Sequence, residues 1–346
     1  MKYSLKDFQI DIPKDLIAQY PLKSREESRL LVLHASTQKI VDDCFSNLPS
    51  YISRHDCIVY NDTKVINARL FGTKKETGAS LEILLLKKID CTDWYCLIRP
   101  ARRVRERMVI SIKNEISLEV VDTLQEGVFR VRFSREVDYR DLTQFGEIPL
   151  PKYIKRSAVK GIDDISYQTV FSDKYGAVAS PTAGLHFTEK LIEEIKDRDA
   201  VWVPVTLYVD WGTFKPVRED DYRKHKIHRE TYEISKESAR IINRCIAEKR
   251  RLLCIGTTTV RTVESAVDRT GSLRSGRGET DLYIYPGYNF KITDGMVTNF
   301  HMPDSTLILL VMAFAGVEGI RKAYAHAVEE RYRFFSYGDA MLIIKD

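Results

Sequence analysis

Apolar and polar positions follow three successive textures along this chain. Within residues 1–60, Pro13 is followed by Leu16 and Ile17, which predicts a short apolar helix opened by the proline. Leu30–Leu33 and Ile58–Tyr60 are continuous apolar runs, as expected of buried strands. Residues 64–135 read differently. Short β-rich runs recur about every ten residues, at Asn67–Phe71, Leu81–Leu86, Trp94–Ile98, Met108–Ile112, Ile116–Val121 and Val128–Phe133. In the last run, Phe129, Val131 and Phe133 fall on one face and Arg130 and Arg132 on the other. Such spacing predicts a small β-barrel or sandwich, inserted into the first domain and left through the proline-rich stretch Gly146–Pro151.

From about residue 160 the helical period returns. Thr188 is placed to cap a helix over Glu189–Lys196, and Ser235 one that carries Ile242, Cys245 and Ile246 on a stripe. Val201–Val209 and Leu252–Ile255 read as strands. The second leads through Gly256-Thr257-Thr258-Thr259 into a helix that continues past Val263 and Ala266. Ile320, Ala323, Tyr324, Ala327 and Val328 form a last amphipathic stripe. Strands alternating with helices predict a largely parallel sheet. The expected fold is multidomain, α+β/α/β. A discontinuous α/β domain over residues 1–62 and 155–346 carries the inserted β-barrel, residues 63–154.

Composition adds limits. The 346 residues suggest about two domains, and 44% hydrophobic content is ordinary for a globular chain. The net charge of +5 permits a nucleic-acid partner without demanding one. Cys44, Cys57, Cys91, Cys96, Cys245 and Cys254 include no C-x-x-C pair, so zinc fingers and thioredoxin motifs are excluded. The N-terminus lacks signal-peptide character. The longest uncharged apolar run, Leu307–Val317, has eleven residues against the roughly 20 that span a bilayer. The expectation is a soluble, cytoplasmic monomer with free thiols and no membrane contact.

Several stretches could carry chemistry. At Gly256–Thr259, a glycine before a helix N-terminus lets backbone approach a ligand and offers unpaired N–H groups to a carboxylate or phosphate. A plain βα turn with threonine caps has the same sequence. Gly271–Gly278 lacks the lysine and hydroxyl of a P-loop and reads as a surface loop. No G-x-S-x-G elbow occurs. His225 and His228 are spaced for a metal, but a third ligand is not evident and four flanking cations oppose a divalent ion, so no metal is expected. Arg99, Arg102, Arg103, Arg105 and Arg107, five arginines within nine residues, suit phosphate oxygens or an exposed turn. His186 and His301 each stand just before a helix start, among Thr, Asn and Gly.

Read together, these stretches resemble the S-adenosylmethionine:tRNA ribosyltransferase-isomerase family of queuosine synthesis. The matching segments are Leu16–Pro21, Ser28–Leu33, Asn61–Gly72, Phe145–Leu150, Tyr167–Val170, Gly176–Thr188, Gly256–Arg261, Ile284–Tyr288, Thr298–His301 and Tyr332–Leu342. They span nearly the whole chain. Tyr208, Asp210, Trp211, Asn67, Lys152 and the Arg105-Glu106-Arg107 turn depart from the usual pattern.

The resemblance implies an α/β domain with an inserted barrel. It also implies a reaction in which the ribosyl part of S-adenosylmethionine joins 7-aminomethyl-7-deazaguanine at the wobble position of tRNA. Epoxyqueuosine-tRNA forms, and adenine and methionine leave. S-adenosylmethionine is then a cosubstrate, with no prosthetic group. The chemistry needs a base for the 5′ proton beside the sulfonium, an acid for adenine and a neutral attacking amine. His186 and His301 are the expected base and acid. Phe187, Phe214 and Phe300 are candidates for the sulfonium. The methionine carboxylate is assigned to the turn of Gly256, Thr257, Thr258 and Thr259, and Thr182, Gly184 and Asn299 are further expected S-adenosylmethionine contacts. For tRNA, the expected contacts are Lys64, Arg69, Arg99, Arg102 and Arg103, then His228, with Arg261, Arg333 and Asp339 also on the substrate side. Two other functions fit parts of the pattern. One is a methyltransferase, against which the missing G-x-G loop counts. The other is a non-catalytic or altered-specificity tRNA-binding relative, motivated by Tyr208 and Asp210.

Overall fold

The computed structural model describes Ser4 and residues 10–113, 116–210, 212 and 216–345. The chain begins with β1 (Arg29–His34), β2 (Ile40–Cys44), β3 (Asp56–Asn61) and β4 (Thr63–Val65). It then enters a closed barrel of β5 (Arg69–Lys74), β6 (Ser80–Lys88), β7 (Asp93–Arg99), β8 (Val109–Ser111), β9 (Ser117–Thr123) and β10 (Val128–Phe133). The return passes through α1 (Leu142–Phe145), α2 (Asp163–Ser166), β11 (Lys174–Ala177), α3 (Glu189–Lys196), β12 (Val201–Leu207), β13 (Glu230–Ile234) and α4 (Lys236–Ala247). It ends with β14 (Arg251–Ile255), α5 (Thr257–Ala266), β15 (Gly276–Thr280), β16 (Gly295–Asn299), α6 (Thr306–Ala315), α7 (Val317–Glu329) and β17 (Ala340–Ile344).

Nine strands form the main sheet in the order β15-β13-β12-β3-β14-β16-β17-β1-β2. Alternate residues of its central strands enter two different cores. Leu31, Leu33, Cys57, Val59, Leu252, Cys254, Met341 and Ile343 face the side covered by α4 to α7. Leu30, Val32, Ile58, Leu253, Ile255 and Leu342 face the side covered by α3 and the 45–51 turn. A sheet buried on both faces explains why these strands read as unbroken apolar runs. The eleven-residue apolar run becomes α6, wrapped on all sides by the first core, and no helix among the described residues is long and apolar enough to cross a membrane.

The sheet is less parallel than the sequence predicts. β12, β3, β14 and β16 run parallel, as do β17 and β1. β13, β15 and β2 are antiparallel to their neighbours, and β17 is antiparallel to β16. Among the described residues, β2 follows β1 and β13 follows β12 with no α-helix between, whereas β15 and β17 pair antiparallel although helices precede them, so alternation of strands and helices does not by itself fix strand direction. Pro13 opens a single 3₁₀ turn, Lys14–Leu16, too short to be a helix with a buried face.

In the barrel, Phe129, Val131 and Phe133 do point inward, joining Leu81, Ile83, Leu85, Trp94, Cys96 and Ile98. Outside, fully buried Asp93 is gripped by Arg130 (2.8 and 2.6 Å) and Arg132 (2.8 and 3.1 Å). The Arg132 hydrogen bonds, aided by Arg130, hold its carboxyl down at about 2 against the cost of burial. The two arginines that looked like a free polar face therefore clamp β7 to β10.

Candidate active site

The parallel strands β14 and β16 end side by side, with Ile255 opposite Val297. Beyond those ends lies a small, partly open cavity of about 20 Å³ lined by Ser180, Thr182, Val209, Gly256, Thr257, Thr258, Thr298, Asn299, His301 and Leu307, among others. Ligands gather at the carboxyl ends of such strands because loops and helix N-termini converge there. Three of the lining side chains keep a buried polar atom without a partner: Ser180 Oγ, Thr258 Oγ1 and Asn299 Oδ1. Their residues are 3%, 6% and 2% exposed. A buried, unsatisfied polar atom costs on the order of 1–3 kcal/mol, so three around one cavity mark it as built for a polar ligand.

The α5 N-terminus forms one wall. Side-chain hydroxyls cap α3, α4 and α6, from Thr188, Ser235 and Ser305. At α5 the capping position is Gly256, with φ +89°, and no side chain occupies the free donors. Thr259 does not contribute to the wall; its hydroxyl donates back to Ile255 O at 2.6 Å, and the residue is fully buried.

The two histidines differ. His301 lines the cavity, and its Nε2 lies 2.7 Å from Thr298 Oγ1. Either ring tautomer meets this contact, and in the one that donates Nε2–H to Thr298 the Nδ1 lone pair is free. Burial lowers the His301 pKa to about 3, so the ring is neutral at pH 7. His186 does not line the cavity. Its Nδ1 is 2.8 Å from Ser28 Oγ and its Nε2 is 3.1 Å from Asn299 Nδ2. Burial, reinforced by Arg25 and Arg333, lowers its pKa to about 3 as well. With both ring nitrogens engaged, it has no atom to offer a substrate.

Several sequence assignments need correction. Phe187 is fully buried against Phe45, Phe171 and Trp202, and Phe300 against Tyr324, Tyr332 and Phe334; neither ring reaches the cavity. Phe214 lies outside the described residues. Gly184 is a packing glycine, since a Cβ there would meet Phe171 at 2.6 Å and Thr169 at 2.7 Å. Arg261 is 2% exposed and pairs with equally buried Glu230, so it touches no RNA phosphate. Asp339 is buried too. It accepts the backbone N–H of Arg29 (3.0 Å) and of Arg333 (2.7 Å), tying β1 to the C-terminal loop. Arg333 turns its Nη2 to Tyr20 O and serves the same junction.

A second, larger opening separates the barrel from the main sheet. Its lining includes Arg69, Glu82, Arg99, Lys152, Ala179, Arg218, Lys226, His228, Met302 and Asp304. Arg69, Arg99 and His228 thus stand together, as the sequence reading wanted. Lys64 lies over the Tyr175 ring (4.9 Å), and Arg102 and Arg103 are exposed on the barrel surface; none of the three lines the cleft. The neighbours Ala179 and Ser180 line the cleft and the cavity in turn, as do Met302 and His301. The small cavity and the basic cleft are therefore lined by sequence neighbours at two places. Ser180, Lys152 and Ser28 were missed in the sequence; Ser180 and Ser28 sit inside the recognised Gly176–Thr188 and Ser28–Leu33 segments, but nothing local shows that Ser28 meets His186.

Comparison with known proteins identifies the family. A family profile described as Queuosine biosynthesis protein matches residues 5–343. The chain is 44% identical over 340 residues to the S-adenosylmethionine:tRNA ribosyltransferase-isomerase of Caldanaerobacter subterraneus subsp. tengcongensis, covering 98% of this chain and 99% of that one. The protein of the same name from Carboxydothermus hydrogenoformans is 47% identical over 342 residues, with the same coverage. The crystal structure of S-adenosylmethionine tRNA ribosyltransferase from Thermotoga maritima is 35% identical, with a TM-score of 0.56, and the match covers 98% of this chain and 100% of that one. Similarity of this strength from end to end, over both the sheet and the barrel, leaves one conclusion: the chain belongs to the queuosine biosynthesis protein family.

Proposed function

We propose that this protein transfers and isomerises the ribosyl part of S-adenosylmethionine onto 7-aminomethyl-7-deazaguanine in tRNA, giving epoxyqueuosine-tRNA, adenine and methionine. The observation that carries the reading is the pairing of two openings: a cavity with three orphaned polar atoms, and a basic cleft whose lining adjoins it at Ala179–Ser180 and at His301–Met302. The unpartnered polar atoms of the cavity suit a charged end of S-adenosylmethionine. The cleft suits a nucleotide swung out of a tRNA loop, because single-stranded bases are splayed out cheaply and their phosphates seek arginine and lysine. The full-length similarity to relatives named for this reaction supports the same reading.

Within it, His301 is the proton-transfer group. In the tautomer that donates Nε2–H to Thr298, its neutral ring offers Nδ1 as a base for the 5′ proton, whose acidity comes from the adjacent sulfonium. Once protonated, the same ring can pass a proton to departing adenine. Arg69, Arg99 and Lys152 are the assigned phosphate contacts, with His228 at the cleft's edge. The barrel, residues 63–154, supplies one wall of the tRNA site, and residues 1–62 and 155–346 supply the chemistry. We place the protein in the cytoplasm, as a monomer.

The test is a product assay with protein, S-adenosylmethionine and tRNA bearing 7-aminomethyl-7-deazaguanine. Free adenine together with a mass gain on the tRNA is expected. S-adenosylhomocysteine in place of adenine would mean methyl transfer, and tRNA binding with no product would mean a non-catalytic relative.

A further inference from the structure

The orphaned atom on Asn299 has a fixed orientation, and the reason lies behind it. Asn299 Nδ2 donates to Phe335 O (3.1 Å) and to His186 Nε2 (3.1 Å), so both amide protons are spent. A carbonyl can only accept, so Phe335 O fixes which end of the amide is nitrogen. His186 Nε2 must then be unprotonated, and its Nδ1–H donates to Ser28 Oγ at 2.8 Å. The result is a rigid line from Ser28 through His186 to Asn299, all three residues 4% exposed or less. It ends at Oδ1, a pure acceptor with no partner, on a residue that lines the cavity.

The other side of this corner is a donor surface. Ile255 pairs with Val297, and Gly256 N donates to Val297 O at 2.7 Å, so α5 starts beside the end of β16, and Gly256, Thr257 and Thr258 line the same cavity as Asn299. The uncapped α5 N-terminus favours an anion, and Asn299 Oδ1 requires a hydrogen-bond donor or a cation. Of the groups on S-adenosylmethionine, its α-carboxylate and α-ammonium share one carbon and carry those two opposite demands.

We propose that the methionine end of S-adenosylmethionine is held at this corner, with its carboxylate on the α5 N-terminus and its ammonium on Asn299 Oδ1. His186 is a positioning residue that holds the Asn299 amide and transfers no proton. This rests on the function proposed above and deepens it, by assigning the amino-acid end of the cosubstrate.

Calorimetry on the full-length protein with three ligands tests it. They are S-adenosylmethionine, its desamino analogue, and 5′-methylthioadenosine, which lacks the amino-acid group. Wild-type protein should bind the desamino analogue about 30-fold more weakly than S-adenosylmethionine. Asn299→Leu should weaken S-adenosylmethionine by a similar factor, abolish the difference between the first two ligands and leave 5′-methylthioadenosine within about 2-fold. His186→Phe should show the same pattern. His186→Gln, which keeps an acceptor for Asn299 and a donor for Ser28, should restore affinity and leave the pH profile of kcat unmoved. Equal wild-type affinity for S-adenosylmethionine and its desamino analogue would overturn the assignment, and that comparison needs no variant to fold. So would equal weakening of 5′-methylthioadenosine in Asn299→Leu. If wild-type protein binds neither S-adenosylmethionine nor 5′-methylthioadenosine, the functional reading itself fails.

Discussion

Gly256 has open space around the position of a Cβ, whose nearest neighbour would be 3.5 Å away, yet it sits at φ +89°. The backbone angle, not crowding, demands glycine, and a β-branched residue there is strained by about 1–3 kcal/mol. Gly256→Val should therefore twist the first turn of α5 and weaken S-adenosylmethionine binding at least tenfold while sparing tRNA affinity; calorimetry against both ligands checks this. At His301 the expectation concerns rate. His301→Asn should lower single-turnover ribosyl transfer by about 10²-fold or more with S-adenosylmethionine affinity within a few-fold. A loss of affinity alone would move the proton transfer to another group. Both buried histidines also set a pH dependence. Their folded pKa of about 3 lies below the unfolded value, so the unfolded chain gains protons first as pH falls. Their stabilising contribution is full above pH 6.5 and drains below it, by about 1.4 kcal/mol per pH unit for each ring. Urea midpoints should fall between pH 7.5 and 5.5, less steeply in His301→Asn; a flat profile would mean that the rings charge in place.

At the scale of elements, the sequence is most legible where a local signal and burial agree. Thr188 caps α3 as its position predicts, accepting from Leu191 N at 3.1 Å. Its hydroxyl also donates to Glu26 Oε2 at 2.7 Å, which couples the helix start to the chain before β1. Thr188→Ala should cost about 1 kcal/mol, read as a lower urea midpoint with little change in turnover at saturating substrate. The barrel behaves differently. Alternation in Val128–Phe133 places its apolar face correctly, but the fate of Arg130 and Arg132 depends on Asp93, which comes from a different strand. Asp93→Asn should loosen the β7–β10 seam and destabilise the barrel by about 1–2 kcal/mol, the arginines being partly solvated. Hydrogen exchange confined to β7 and β10 is the expected signature.

At the scale of the whole molecule, the cleft exists only because barrel and sheet face one another. Arg69 and Arg99 come from the barrel, Lys152 from its exit, and Arg218 and Lys226 from the segment between β12 and β13. Burial lowers the Lys152 pKa, and repulsion from Arg99, Arg218 and Arg69 lowers it further, with Glu82 alone opposing. Arg69, Arg99, Lys152, Arg218 and Lys226 outnumber Glu82, Glu219 and Asp304 in this opening, an excess of positive charge that favours an anionic occupant. Replacing Arg99 and Lys152 with Gln should flatten the dependence of log K for tRNA on log salt by about 1.4, roughly 0.7 for each lost contact with single-stranded phosphate. Replacing the surface-exposed Arg102 and Arg103 should change it less. The reverse ranking would move the RNA path onto the outer barrel.

The sequence by itself determined the strands, the capped helices, the inserted barrel and the family, because apolar period, cap residues and long motifs are local and survive without coordinates. It also brought His301, Asn299 and the Gly256 turn into view as neighbours in function. Only the tertiary structure decided which of the marked residues face a ligand. Phe187, Phe300, Arg261 and Asp339 sit inside recognised motifs, yet all four are spent on the fold. The two histidines share a local context, and they part company because Ser28 meets the ring of His186 from across the chain while Nδ1 of His301 is left free. Orientation and burial arise from contacts between residues distant in sequence, and a pattern read along one strand of chain carries no record of them.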